Sequence, residues 1–166
     1  TIYVSVGSWN NVDSDSSRAR IRSFSLLDAG QFPLDFQTGV VFADGLRNEV
    51  AMELAPDGVL WGAGNSADKL DRDDLGGSEI YNDNPCEEVH RFNMSGGGQN
   101  YGYPYCFREY ELGEGYGLGR GTAWAWPSFL NDGTVTDQQC RDNYDTPVLA
   151  LQAHSAPLGI TFYRYM

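Results

Sequence analysis

An arginine and an asparagine, Arg47-Asn48, stand at the mouth of an apolar strand in GLRNEVAMELAPDGVLWGAGN (Gly45–Asn65). A cation and an amide in that place need partners. A surface acid would serve Arg47, and so would an anionic ligand held by charge-assisted hydrogen bonds. A second polar entrance is His154-Ser155-Ala156-Pro157, where His154 either caps a turn or faces the same ligand. The segment NSADKLDRDDLGG (Asn65–Gly77) adds Asp68, Asp71, Asp73 and Asp74. Hard cations such as Ca²⁺ take carboxylate and carbonyl oxygens, and this loop can offer both. It lacks the D-x-[DN]-x-[DN]-G spacing of an EF-hand, and a solvated acidic loop is the alternative. Tyr101, Tyr103, Tyr105 and Phe107 alternate along NYGYPYCF, which suits a platform for a sugar or flat cofactor and suits core packing equally. His90, between Val89 and Arg91 in a strand pattern, reads as structural. There is no glycine-rich phosphate loop, no G-x-S-x-G and no zinc spacing.

The elements that must hold these residues are strands that repeat. Ile2–Ser8 aligns with Leu60–Ser66, Arg20–Phe24 with Glu88–Phe92, and Val50–Leu54 with Leu158–Phe162. Val50, Met52 and Leu54 alternate with small or polar residues, Ala55-Pro56-Asp57-Gly58 supplies a turn, and Val59-Leu60-Trp61 starts the return strand. Each unit reads strand, turn, strand, polar loop, strand. That order is the grammar of a β-propeller blade, whose first strand lines a central channel. Arg47, Asn48 and His154 would then all face one axial funnel. A sandwich built from the same strands is the alternative, but it leaves the repeated order unexplained. Two long loops interrupt the pattern, Ser66–Asn84 and Gly102–Thr146, and no amphipathic helix is predicted in either.

Composition agrees with an all-β reading, since 20 glycines and 13% aromatics accompany only 11 lysines and arginines in 166 residues. The net charge of −12 argues against a nucleic-acid partner. No apolar run approaches the roughly 20 residues of a membrane span. The chain opens within one strand pattern, Ile2–Val6, and ends within another, Ile160–Tyr163, so it is expected to be a piece of a longer polypeptide. Cys106 and Cys140 flank the second loop, where a bridge would contribute roughly 3–4 kcal/mol in the chain-entropy model. Cys86 is then left for a partner outside this chain. With the sequon Asn93-Met94-Ser95, the cysteines and acidic surface lean toward a secreted, extracellular glycoprotein.

Taken in order, GLRNEVAMELAPDGVLW, the acidic loop, EEVHRFN, GGGQNYGYPYC and PVLALQAHSAPLGITFY resemble the quinoprotein sugar dehydrogenases, most closely the fungal pyranose and sorbosone dehydrogenases. The resemblance spans almost the whole chain. It implies an all-β fold, part of a six-bladed β-propeller with about two to three blades here and a long insertion at about 102–146. It implies pyrroloquinoline quinone (PQQ) and Ca²⁺ as cofactors, and a mono- or small saccharide as substrate. Electrons would pass to a cytochrome b domain, a copper oxygenase or another non-NAD acceptor. Arg47 and Asn48 map onto the pair that binds the cofactor, with Arg47 also stabilising charge as it is reduced, and His154 maps onto a further contact. Carbonyls of Ser66 and Ala67, with Asn65 adjacent, map onto the Ca²⁺ site, although the Gly-Pro of the soluble glucose dehydrogenases is absent. A second, structural Ca²⁺ is suggested near Glu88 and the Tyr101 carbonyl. The catalytic histidine of the family aligns upstream of Thr1, other basic cofactor contacts lie beyond Met166, and the remaining blades would come from outside this chain. A Ca²⁺-dependent propeller lactonase and a non-catalytic carbohydrate-binding propeller are the competing readings.

Overall fold

Alternation of β-branched and aromatic residues with polar ones produces three consecutive antiparallel strands, β1 (Ile2–Val6), β2 (Arg20–Phe24) and β3 (Val40–Asp44). The computed structural model describes residues 1–27, 30, 32–95 and 97–163. A second sheet follows from β4 (Glu49–Leu54), β5 (Leu60–Gly64) and β6 (Glu87–Arg91). The β4–β5 hairpin closes as the sequence predicts: Ala55 and Val59 pair at 2.8 Å, Gly58 takes φ 82°, and Asp57 Oδ1 accepts from the Val59 N–H. Short β7 (Gln99–Asn100) lies parallel to β3 at the edge of the first sheet. A two-stranded sheet pairs β8 (Cys106–Arg108) with β9 (Ala123–Ala125). Finally β10 (Leu149–Leu151) joins β6, giving the order β10-β6-β5-β4.

The two four-stranded sheets share one apolar core. Ile21, Phe42 and Ala43 of the first meet Leu60 and Phe92 of the second, with Tyr101 between them. The first two sequence repeats are therefore β1 with β5 and β2 with β6. The third does not hold as a pair of strands. Val50–Leu54 lies in β4, but 158–162 forms no ladder with a described segment. The same absence removes the strand expected at 160–163, although Phe162 packs on Trp61 with ring centroids 5.7 Å apart.

Helices are present where none was predicted. α1 (Pro127–Asn131) starts at a proline, and α2 (Asp137–Asn143) at a capping box in which Thr136 and Gln139 satisfy each other's backbone N–H. Both are too short to display a helical period in sequence. The 102–146 insertion is thus a small folded layer, built on β8, β9 and the Cys106–Cys140 bridge, with Ala123, Ala125 and Val135 packed around it. The acidic loop is fastened to this layer by Arg72, which is buried and donates to Asp74 and Asp137. Asp71 and Asp73 remain exposed, as the solvated alternative requires. Cys86 is fully buried and free, so the expected partner outside the chain has no access to its sulfur; burial also pushes the thiol well above its ordinary range.

Candidate functional site

Residues 45–48 enter β4 from the end of the sheet where β1 and β5 also finish, and every one of them is held through its backbone. Tyr103 N–H donates to the Gly45 carbonyl at 3.1 Å, Leu46 N–H to Ala19 at 3.0 Å, Ser8 N–H to Arg47 at 2.7 Å and Asn65 N–H to Asn48 at 3.0 Å. Gly45 has φ 68°, and a Cβ there would fall 2.5 Å from the Gly102 nitrogen, so only glycine fits beneath the Tyr101–Gly102 segment. The Arg47 guanidinium meets two neutral oxygens at the edge of hydrogen-bond range, the Asn11 carbonyl at 3.3 Å and Asn11 Oδ1 at 3.5 Å. Among the described residues no carboxylate lies within ion-pair distance of it. The surface acid considered from sequence is therefore not its partner.

The loop after β5 is shaped by two side chains. Glu87 Oε2 accepts the Ser66 N–H at 2.6 Å. Asn11 accepts the Asp68 N–H with Oδ1 and donates Nδ2–H to the Asp68 carbonyl, both at 2.6 Å. Because a trans peptide sets N–H and C=O in opposite directions, the Asn65 carbonyl points away from Glu87 and the Ala67 carbonyl away from Asn11. Among the described residues no donor bonds to the carbonyls of Asn65, Ser66 or Ala67. Three successive free carbonyls are what a hard cation needs from backbone.

His154 closes the site from the far end of the chain. Its Nε2 lies 2.7 Å from the Tyr81 carbonyl, which can only accept, so Nε2 carries the proton. Its Nδ1 lies 3.7 Å from Asp68 Oδ1, an oxygen that is buried without a hydrogen-bond partner. His154 and Ala156 both take left-handed φ, 59° and 45°, a conformation that non-glycine residues rarely adopt. Asn65 Nδ2 ties the following Pro157 carbonyl back to the β5 loop at 2.9 Å. Arg47, Asn65, Ser66, Ala67, Asp68, Glu87 and His154 line one open depression of about 260 Å³. Burial pushes the Glu87 carboxyl up, and the N–H groups of Ser66 and Ala156 pull it back.

Asn48 does not join them. Its backbone carbonyl serves the β5 loop, while its side chain faces Gly7 of the first sheet, where an added Cβ would sit 2.6 Å from Oδ1. Of the four alternating aromatics, Tyr101, Tyr103 and Phe107 line an adjoining cavity that shares Arg47, Asn65, Ser66 and Ala67 with the depression. Tyr101 and Phe107 are buried in the core and Tyr105 packs on Phe129, so the packing alternative holds for them. Glu88, named for the suggested second Ca²⁺ site, lines that cavity with Tyr101 and bonds His90 Nε2 through Oε2 at 3.0 Å. No group of three or more acidic, histidine or cysteine side chains among the described residues could hold a metal. His90 proves structural, fully buried with Glu49 3.0 Å from Nδ1 and Tyr101 against its ring at 4.2 Å. Burial alone would lower its pKa, but Glu49 and Glu88 raise it to about 9, and His90 is an imidazolium at neutral pH. Glu49 lies across Gly62 and Gly64, where any Cβ would collide with its carboxylate.

Of the residues at the depression, Asp68 was among the acidic-loop candidates, whereas Glu87 and Asn11, which bonds Arg47 and Asp68, were not singled out. The signal for Asn11 was available in the first repeat: extended past Ser8 and Ser66, it sets the Trp9–Asp13 loop of one sheet against the Ala67–Asp71 loop of the next.

Sheets packed face to face, with one polar depression where their strands end, define a fragment of a propeller-type all-β domain. The TrAA12-like family profile matches residues 1–166, and the chain belongs to that family. A PQQ-dependent sugar dehydrogenase of Hypocrea jecorina is 35% identical over 160 residues, covering 92% of this chain and 36% of that protein. A PQQ-dependent pyranose dehydrogenase of Coprinopsis cinerea is 31% identical over 169 residues, covering 96% of this chain and 23% of that protein. The chain thus spans little more than a third of the first relative and under a quarter of the second. Among solved structures, the calcium structure of the Trichoderma reesei carbohydrate-active enzyme of family AA12 matches with TM-score 0.83 and 33% identity, over 96% of this chain and 42% of that one. The holo form of the Coprinopsis cinerea pyranose dehydrogenase PQQ domain matches with TM-score 0.80 and 30% identity, over 96% and 41%.

Proposed function

We propose that this chain is part of a six-bladed propeller that oxidises a hydroxyl of a pyranose sugar with PQQ and Ca²⁺, and that its depression holds one side of both cofactors. The observation that carries this reading is the convergence of Arg47, the free carbonyls at 65–67 and His154, from three distant parts of the sequence, on one depression. The residues fit the groups. Arg47 has no carboxylate partner among the described residues and suits an anionic cofactor, while Ser66 and Ala67, with Asn65, offer oxygens to a hard cation. The unpartnered Asp68 oxygen beside them suits the same positive charge.

When bound, PQQ supplies a two-electron acceptor and Ca²⁺ a Lewis acid. The work of this chain is preorganisation. Arg47 presents fixed N–H donors to developing negative charge, from a backbone that four hydrogen bonds prevent from relaxing. His154, with its proton fixed on Nε2 by Tyr81, turns Nδ1 toward the Asp68 side of the depression. The general base, a histidine by resemblance, belongs to residues outside 1–166. Electrons would leave to a haem domain or another one-electron acceptor. The Cys106–Cys140 bridge and an exposed Asn93 in its sequon support a secreted protein.

The test is PQQ binding by calorimetry to the full-length apoprotein with and without Ca²⁺, then sugar oxidation with a dye acceptor. Arg47→Ala should weaken PQQ binding about 30-fold, the equivalent of about 2 kcal/mol for a lost charge-assisted contact. Unaltered affinity in that variant, or Ca²⁺-dependent lactone hydrolysis without PQQ, would overturn the reading.

A further inference from the structure

We propose that Trp9 is a stacking platform for the saccharide ring at the rim of the depression, an inference that rests on the sugar-oxidising reading above. β1 and β5 are equivalent strands that finish at the same end of the molecule, so residues 7–12 leave the first sheet where residues 65–70 leave the second. The repeat pairs Trp9 with Ala67, which lines the depression. Contacts place it independently. Ser8 N–H donates to the Arg47 carbonyl at 2.7 Å, and Asn11 accepts from the Arg47 side chain at 3.3 and 3.5 Å. Ser8 and Asn11 therefore clasp Arg47 by its backbone and by its guanidinium, and Trp9 stands between them in the chain.

The indole is 79% exposed, whereas Trp124 and Trp126 are each 7% exposed in the core. Among the described residues the indole belongs to none of the apolar cores, yet the loop beneath it is firmly built. The Asp13 carboxylate accepts from the Trp9 N–H at 2.8 Å, the Asp15 N–H at 3.0 Å and Arg18 Nε at 2.7 Å. The Asp13 N–H in turn donates to the Tyr103 hydroxyl at 2.8 Å. An indole on a rigid base offers a broad π face to the C–H face of a pyranose while restraining only two side-chain torsions on binding. The exposed Asn10 beside it adds an amide able to bond ring hydroxyls.

The experiment uses the full-length holoenzyme and whichever pyranose of a monosaccharide panel it oxidises fastest. Trp9→Ala should raise KM about ten-fold or more with kcat altered less than about two-fold, the pattern of lost ground-state binding. Trp9→Tyr should restore most of the loss, and PQQ affinity and melting temperature should stay at wild-type values. Tryptophan emission of the apoprotein should change on saturation with that sugar, and the change should vanish in Trp9→Ala. An unchanged KM in Trp9→Ala overturns the proposal. If the wild type oxidises no pyranose, the parent reading fails instead, and emission titrated with the same panel still decides: no change on any sugar overturns the platform.

Discussion

The pair formed by Glu49 and His90 makes the strongest quantitative prediction, because both side chains are almost wholly removed from water, at 1% and 3% exposure. His90 holds a pKa of about 9, against an ordinary value of 6.5. At about 1.36 kcal/mol per unit, that difference corresponds to roughly 3 kcal/mol of stability supplied by the protonated ring. A pKa raised by folding contributes in full below the unfolded value and is lost as pH climbs through the folded one. Wild-type stability should therefore fall by up to roughly 3 kcal/mol between pH 6.5 and 9, read as a declining denaturant midpoint of the full-length protein. Burial pushes both the Glu49 carboxyl and the Cys86 thiol up. Glu49→Gln keeps the shape and removes the principal counter-charge, leaving Glu88 alone at 3.0 Å. The pH slope should shrink to less than half. His90→Gln should be worse at neutral pH, by roughly 3–5 kcal/mol, since it strands a buried carboxylate without a cation. A wild-type midpoint that is flat from pH 6.5 to 9, or a Glu49→Gln variant that keeps the full slope, would refute the assignment of a buried imidazolium.

Two further perturbations probe the site and its support. Asn11→Ala removes two 2.6 Å bonds to the Asp68 backbone and the contacts to Arg47, which should weaken Ca²⁺-dependent PQQ binding by about 2–3 kcal/mol in calorimetry. Asn11→Asp should restore the Arg47 contact without restoring affinity, because it presents a carboxylate to the Asp68 carbonyl; wild-type affinity in either variant would remove Asn11 from the site. Cys140→Ser opens a loop with a sequence separation of 34 and should destabilise the 102–146 layer by about 3–4 kcal/mol, seen as faster hydrogen exchange in β8, β9 and α2 with β4–β5 unaffected.

The strands were legible because their signals are local. Ala55-Pro56-Asp57-Gly58 admits few conformations other than a tight turn, and the first two repeats coincide with β1, β5, β2 and β6. The helices were not, since five and seven residues are fewer than the periods needed to reveal an apolar face; their only marks were Pro127 at an N-terminus and the Thr136–Gln139 box. Arg47, Ser66, Ala67 and His154, which the fold brings to one depression, were picked out by motif order, which identifies residues but not directions. That is why Asn48 was grouped with Arg47 although its side chain turns to Gly7. Asn11 and Glu87 escaped for the opposite reason. Asn11 stands in no motif, Glu87 only opens EEVHRFN, and each acts across the fold: Asn11 reaches Asp68 over 57 residues, and Glu87 reaches Ser66 over 21. The buried charges show most clearly how sequence can state a constraint without naming its cause. Gly62 and Gly64 read as weak points in a strand, where glycine has a conformational cost and packs nothing. In the fold they are the space that Glu49 occupies on its way to His90. The glycines, the acid and the imidazolium form one unit, and it lies directly beneath the entrance that presents Arg47.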